Sequence, residues 1–148
     1  MRKLLLILTF YTANAQAQSA EDSVRTTIDR LFEGMRKGDS AAIRAAFAPG
    51  AVLQTVVTPK TGGTRIMNEP VDSFVASIGR PHKEVYDERI RFDGIRIDGP
   101  MASAWTPYSF YVDNKFSHCG VNAFNLARFN GEWKIIYIVD TRRRTDCK

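Results

Sequence analysis

The five residues Phe116-Ser117-His118-Cys119-Gly120 set a histidine beside a cysteine in a chain of 148 residues that has two of each. Imidazole titrates near neutrality, and a thiolate is both a nucleophile and a soft metal ligand. The pair therefore suggests an acid–base dyad, half of a metal site, half of a disulfide, or simply the two faces of one strand. A metal is the weakest of these, because His82 and His118 stand far apart and no C-x-x-C or paired-histidine spacing joins any ligands. Neither a metal nor a cofactor is expected. Adjacent strand residues point to opposite faces, so His118 and Cys119 should act separately. That leaves His118 as the one candidate general acid or base, and a weak one, since no partner is identifiable. For Cys119 the simplest use is a bridge to Cys147, and a free buried thiol is the alternative.

Compartment bears on the cysteines. The chain opens MRKLLLILTFYTANAQAQSA, with Arg2 and Lys3, an apolar run to about Tyr11, and the small-residue pattern Ala13-Asn14-Ala15-Gln16-Ala17. These are the marks of a secretory signal peptide, with cleavage expected after Ala15 or Ala17. The run is too short to span a bilayer, which needs about 20 residues. Residues 1–17 are accordingly read as a leader and 18–148 as a single exported domain, periplasmic or secreted, with no membrane attachment after cleavage. About 130 residues are ample for one core. Of the formal charge of +5, two units leave with Arg2 and Lys3, and much of the remainder lies in Arg142-Arg143-Arg144, so no broad basic face for nucleic acid is expected.

The elements that must hold these side chains follow from periodicity. Val24, Ile28, Leu31, Phe32 and Met35 form one stripe on a 3.6-residue period, capped by Ser19 and closed by Gly38. Asp39 or Ser40 caps a second helix, SAAIRAAF, which Pro49-Gly50 stops. AVLQTVVT and TRIMNE, separated by PKTGG, read as a hairpin, and Pro70 opens a third helix carrying Val71, Phe74, Val75 and Ile78. From Val85 onward all is strand. The apolar phase slips by one residue at Asp93-Gly94, which predicts a bulge and a curved strand. Turns at Asp98-Gly99-Pro100, Asp113-Asn114 and Asn130-Gly131 separate the last long strands. The fold class is α+β.

The stretch MRKGDSAAIRAAFAPGAVLQ and the final strand NGEWKIIYIV resemble the nuclear transport factor 2-like superfamily over essentially the whole mature chain. FSHCGVNAF with VDTRRRTDC is similar to a branch of small exported bacterial proteins labelled "putative lumazine-binding". The resemblance implies a cone, in which a curved antiparallel sheet wraps three N-terminal helices and leaves a pocket at its open end. Ketosteroid isomerases, polyketide cyclases, dehydratases and non-catalytic modules share that fold, so it leaves function open. No catalytic signature of these enzymes is present to carry over.

Register then predicts who meets whom. A two-residue turn at Asn130-Gly131 sets Asn122 opposite Val139, Cys119 opposite Arg142 and His118 opposite Arg143. A three-residue turn at Asp113-Asn114-Lys115 sets Phe110 opposite His118 and Tyr108 opposite Gly120. The inner face then carries Thr106, Tyr108, His118, Asn122, Tyr137 and Arg143, which are the expected ligand-binding residues. Asp140 and Arg142 fall on the outer face as an ion pair, beside Trp105, Val121 and Ile138, a candidate homodimer surface. The leading expectation is a protein that binds a small, partly apolar molecule without catalysis. An isomerase-, cyclase- or dehydratase-type enzyme using His118, and a dimeric assembly module, are the alternatives.

Overall fold

The structure is a computed structural model that describes residues 9–59 and 62–147, with side chains from Ala20 onward. Helix α1 (Thr9–Lys37) begins ten residues before the expected cap at Ser19. The segment Thr9–Gln18 contains neither Gly nor Pro and is rich in Ala and Gln, so nothing in it interrupts a helix. The start of the proposed leader, residues 1–8, lies outside the described residues. No helix among the described residues is long and apolar enough to cross a membrane.

The stripe Val24, Ile28, Leu31, Phe32 and Met35 is buried along its length. Gly38, at φ 67°, ends α1, and the Asp39 carboxylate accepts the Ala42 N–H at 2.9 Å to cap α2 (Ser40–Ala46). Strand β1 (Phe47–Val57) and β2 (Arg65–Glu69) form the hairpin, and α3 (Val71–Gly79) follows Pro70. Strand β1 starts four residues earlier than the sequence pattern implies. Its pairing with β7 is irregular between Phe47 and Val52, where Pro49-Gly50 lies, so the turn residues bend the strand instead of preceding it.

Strands β3 (Tyr86–Ile90), β4 (Ile95–Asp98), β5 (Met101–Val112), β6 (Lys115–Phe129) and β7 (Glu132–Arg143) complete a seven-stranded sheet of order β2-β1-β7-β6-β5-β3, with β4 also on β5. All neighbours are antiparallel except β1 and β7. β3 and β4 run in succession along β5. Ile90 pairs with Tyr108 and Ile95 with Ala104, so four residues face three across the gap, which is the phase slip at Asp93-Gly94.

Two further bulges decide the inner face. At the β5–β6 turn only Asp113 and Asn114 are unpaired, both at positive φ, and Ser117 is the extra residue between Tyr111↔Phe116 and Phe110↔His118. The shorter turn and the bulge compensate, so Phe110 faces His118 and Tyr108 faces Gly120 as expected. On β7, Ile136 is extra: Leu126 pairs with Ile135, but Asn125 pairs with Tyr137. Everything beyond Ile136 is therefore shifted by one, and Asn122 opposes Asp140 while Cys119 opposes Arg143. This corrects the sequence-based register and exchanges the two faces of β7 from Tyr137 onward. The disulfide Cys119–Cys147, with Cα atoms 5.8 Å apart, ties the C-terminal tail to the outer side of β6. A bridge across 28 residues contributes about 3 kcal/mol in the chain-entropy model.

Candidate functional site

Between the helices and the concave face lies a cavity of about 300 Å³. Its apolar walls come from Leu31, Phe32 and Met35 of α1, Phe74 and Ile78 of α3, Leu53 of β1, and Phe110, Phe124 and Ile138 of the sheet. The polar groups gather on β3, β5, β6 and β7: Glu88, Tyr108, His118, Asn122, Asp140 and Arg142, with Glu69 at the end of β2.

Five of these form two short hydrogen-bonded sets. Asn122 Nδ2 donates to Glu88 Oε1 at 2.8 Å. The Tyr108 hydroxyl lies 3.1 Å from Asp140 Oδ2 and 3.0 Å from the Thr141 carbonyl oxygen and divides its one proton between them. Arg142 Nε donates to the same Asp140 Oδ2 at 2.8 Å. Gly120 makes the close approach of Tyr108 feasible: a Cβ there would overlap the Thr141 carbonyl and come within 2.8 Å of Tyr108 Cε1. His118 Nδ1 lies 3.1 Å from Ser117 Oγ, and its ring sits 4.9 Å from Phe110 and edge-on to Tyr108 at 5.8 Å.

Burial sets the protonation of the cluster. The Glu88 carboxyl is pushed up to about 7, first by loss of water and then by the nearby Asp140 charge, against the opposing pull of the Asn122 hydrogen bond and of Arg142. Glu88 is half-buried as a residue and borders the cavity, and the protein atoms packed around its carboxyl displace part of its water. The His118 imidazole is lowered, mainly by burial and then by Arg142, with Arg144 adding and Asp140 opposing. The Tyr108 phenol is raised by burial and by the charges of Asp140 and Glu88.

Of the six residues expected at the site, Tyr108, His118 and Asn122 line the cavity. Thr106 is wholly buried and does not line it, and its Oγ1 has no hydrogen-bond partner among the described residues. Tyr137 and Arg143 do not reach the cavity, because the Ile136 bulge turns them outward. Tyr137 donates to Gln54 Oε1 at 2.5 Å, and Gln54, itself at the cavity's edge, in turn donates to Asn68 at 2.8 Å. Arg143 Nε donates to the Asp146 carbonyl at 3.1 Å. The same bulge brings Asp140 and Arg142, expected outside, into the cavity as the expected ion pair. Glu88 is not among the residues expected at the site, although Tyr86, Glu88, Ile90 and Phe92 share one strand parity and a carboxyl in an otherwise apolar row is a readable signal.

A sheet curled around three helices, with a polar cluster at one end of an apolar cavity, defines a class of α+β proteins. The family described as "Putative lumazine-binding" matches residues 19–139, and the chain belongs to it. No curated protein matches the chain. Among solved structures it is similar to an NTF2-like protein of unknown function from Shewanella baltica, at 17% identity and a TM-score of 0.66 over 86% of this chain and 96% of that one. A conserved protein from Planctomyces limnophilus superposes with a TM-score of 0.69 at 20% identity, over 85% and 98% of the two chains. A Nostoc punctiforme protein of unknown function with a cystatin-like fold gives 0.63 at 12% identity, covering 84% and 92%. These likenesses establish the NTF2-like, cystatin-like fold.

Proposed function

We propose that the chain is an exported protein that binds a small, partly apolar molecule in the cavity without transforming it. The observation that supports this most is the cavity's division into apolar walls and one polar end, the usual form of a small-molecule site. The family's description points the same way. A fragment screen followed by ¹H–¹⁵N chemical-shift titration tests it. Hits should move the amides of Tyr108, Asn122 and Ile138 together. An absence of hits at millimolar concentration, or shifts confined to the outer face, would overturn it. For export, the leader Met1–Ala17 is expected to be missing from the mature protein, and the disulfide accords with an oxidising compartment.

One observation favours a second reading. A carboxyl poised at about 7 inside a cavity is suited to moving protons, which makes Glu88 a better general base than His118. Under this reading, ketone fragments found in the screen exchange their α-hydrogens in D₂O faster with the protein than without it, and Glu88→Gln abolishes the difference. A homodimer through the outer sheet face, where Trp105 is 52% exposed, is the remaining proposal, and sedimentation equilibrium decides it.

A further inference from the structure

The cavity has a sign. Three carboxyl groups face it, from Glu69, Glu88 and Asp140, against one guanidinium, Arg142. In a chain with a formal charge of +5 this is a local arrangement and not a reflection of composition. Arg142 is already engaged, since its Nε donates to Asp140 Oδ2, which also receives the Tyr108 hydroxyl. Glu69 and Glu88 form no salt bridge among the described residues, although the Arg142 charge bears on Glu88. Glu88 Oε1 is occupied by Asn122 Nδ2, which leaves Oε2 unengaged.

The wall beside Glu88 is aromatic. Tyr86 and Phe110 lie nearly parallel at 6.2 Å, and His118 continues the row 4.9 Å from Phe110. Ring faces carry negative potential and attract cations, more strongly when water is excluded. A bound anion would meet two carboxyls that form no salt bridge, and an arginine whose charge is already partly offset by Asp140.

Resting on the binding role proposed above, we infer that the ligand is a small organic cation, an ammonium or amidinium group on an apolar or aromatic body, with the nitrogen at Glu88 Oε2 and the body along Tyr86 and Phe110. The ligand's positive charge thus offsets the carboxyls that the protein leaves unpaired. Neutral molecules of the same shape should enter the cavity but bind more weakly.

Matched probes test this at pH 8, where the Glu88 carboxyl is mostly ionised: 2-phenylethylammonium, 2-phenylethanol and 3-phenylpropanoate, each with its naphthyl counterpart, titrated by ¹H–¹⁵N shifts on the full mature chain. The ammonium compounds are expected to bind at least tenfold more tightly than the alcohols, with the carboxylates weakest, and Glu88→Gln should remove most of the ammonium-over-alcohol preference. Equal or tighter binding of the alcohols or carboxylates overturns the inference and leaves the binding cavity intact. Silence from all six probes counts against the cavity reading itself and takes the inference with it. If Glu88→Gln fails to fold, the ranking of the probes on the unaltered protein still decides.

Discussion

At the closed end of the concave face, Ala104, Phe124, Leu126 and Ile135 join Val24, Ile28 and Leu31 in one apolar cluster, each at most 4% exposed. A few residues further along the same strands, at the open end, Tyr108, Asn122 and Asp140 are almost as deeply placed, at 4%, 5% and 8%. Burial is nearly equal and the energetics are opposite. The closed end removes apolar surface from water, which stabilises the fold. The open end removes polar and charged groups from water, which costs stability unless each finds a partner. One end therefore holds the domain together, while the other keeps a costly cluster beside empty space. That difference is the physical mark of a site.

The sharpest way to break this contrast is at the closed end. Leu126, fully buried and outside the cavity lining, should cost about 3 kcal/mol or more when changed to Ala, through lost transfer energy and the void left behind. Urea denaturation of Leu126→Ala measures it. A cost below about 1 kcal/mol would mean that the closed end is not the cohesive one.

A smaller effect, of opposite character, is expected at Glu88. Its carboxyl has an ordinary value of 4.5 in the unfolded chain and about 7 in the folded protein. Below 4.5 both states are protonated and Glu88 adds no penalty. As pH rises through the window to about 7, the unfolded chain releases its proton first, so the folded state loses stability, and above that the loss is complete. The full shift corresponds to about 3 kcal/mol, and relaxation around the charge should reduce it to about 2. Denaturation of the native protein and of Glu88→Gln at pH 4.5 and pH 8 isolates this term. The difference in stability between the two proteins should move by that amount in favour of the variant at the higher pH. Parallel behaviour would show that the carboxyl is solvated and the open end is not under electrostatic tension.

The two ends also differed in how far the sequence disclosed them. The closed end follows from repetition: the α1 stripe has a helical period, and Phe124, Leu126, Trp133 and Ile135 alternate cleanly across the Asn130-Gly131 turn. The disulfide followed from two cysteines and an exported-looking N-terminus. The open end depends on bulges, and a bulge is visible only where polarity changes phase. Asp93-Gly94 shows such a change. The run Ile135-Ile136-Tyr137-Ile138-Val139 shows none, because it is apolar at both parities, so the extra residue at Ile136 leaves no trace and simple alternation puts Asp140 and Arg142 on the outer face. Ser117 was equally hidden, and the inner pairing of β5 with β6 came out right only because its bulge offset a turn one residue shorter than assumed. The cavity itself has no sequence signal, since empty space is set by how α1, α3 and the sheet fail to meet.

The mildest perturbation compares the ends most finely. Tyr108→Phe keeps the ring over Gly120 and removes only the hydroxyl that Asp140 Oδ2 and the Thr141 carbonyl share. Asp140 retains Arg142 Nε at 2.8 Å, so the carboxylate is not left without a partner, and the cost should be about 1 kcal/mol, that of one buried hydrogen bond. No cavity is created, so the penalty falls well below that of Leu126→Ala. With the hydroxyl gone, Asp140 relies on Arg142 alone, which should bind the guanidinium more firmly and make it still less available to an anion. A denaturation midpoint that moves as far as that of Leu126→Ala would mean the polar cluster is as cohesive as the apolar one. An unmoved midpoint would mean that water replaces the hydroxyl and that the open end is wetter in solution than its burial implies.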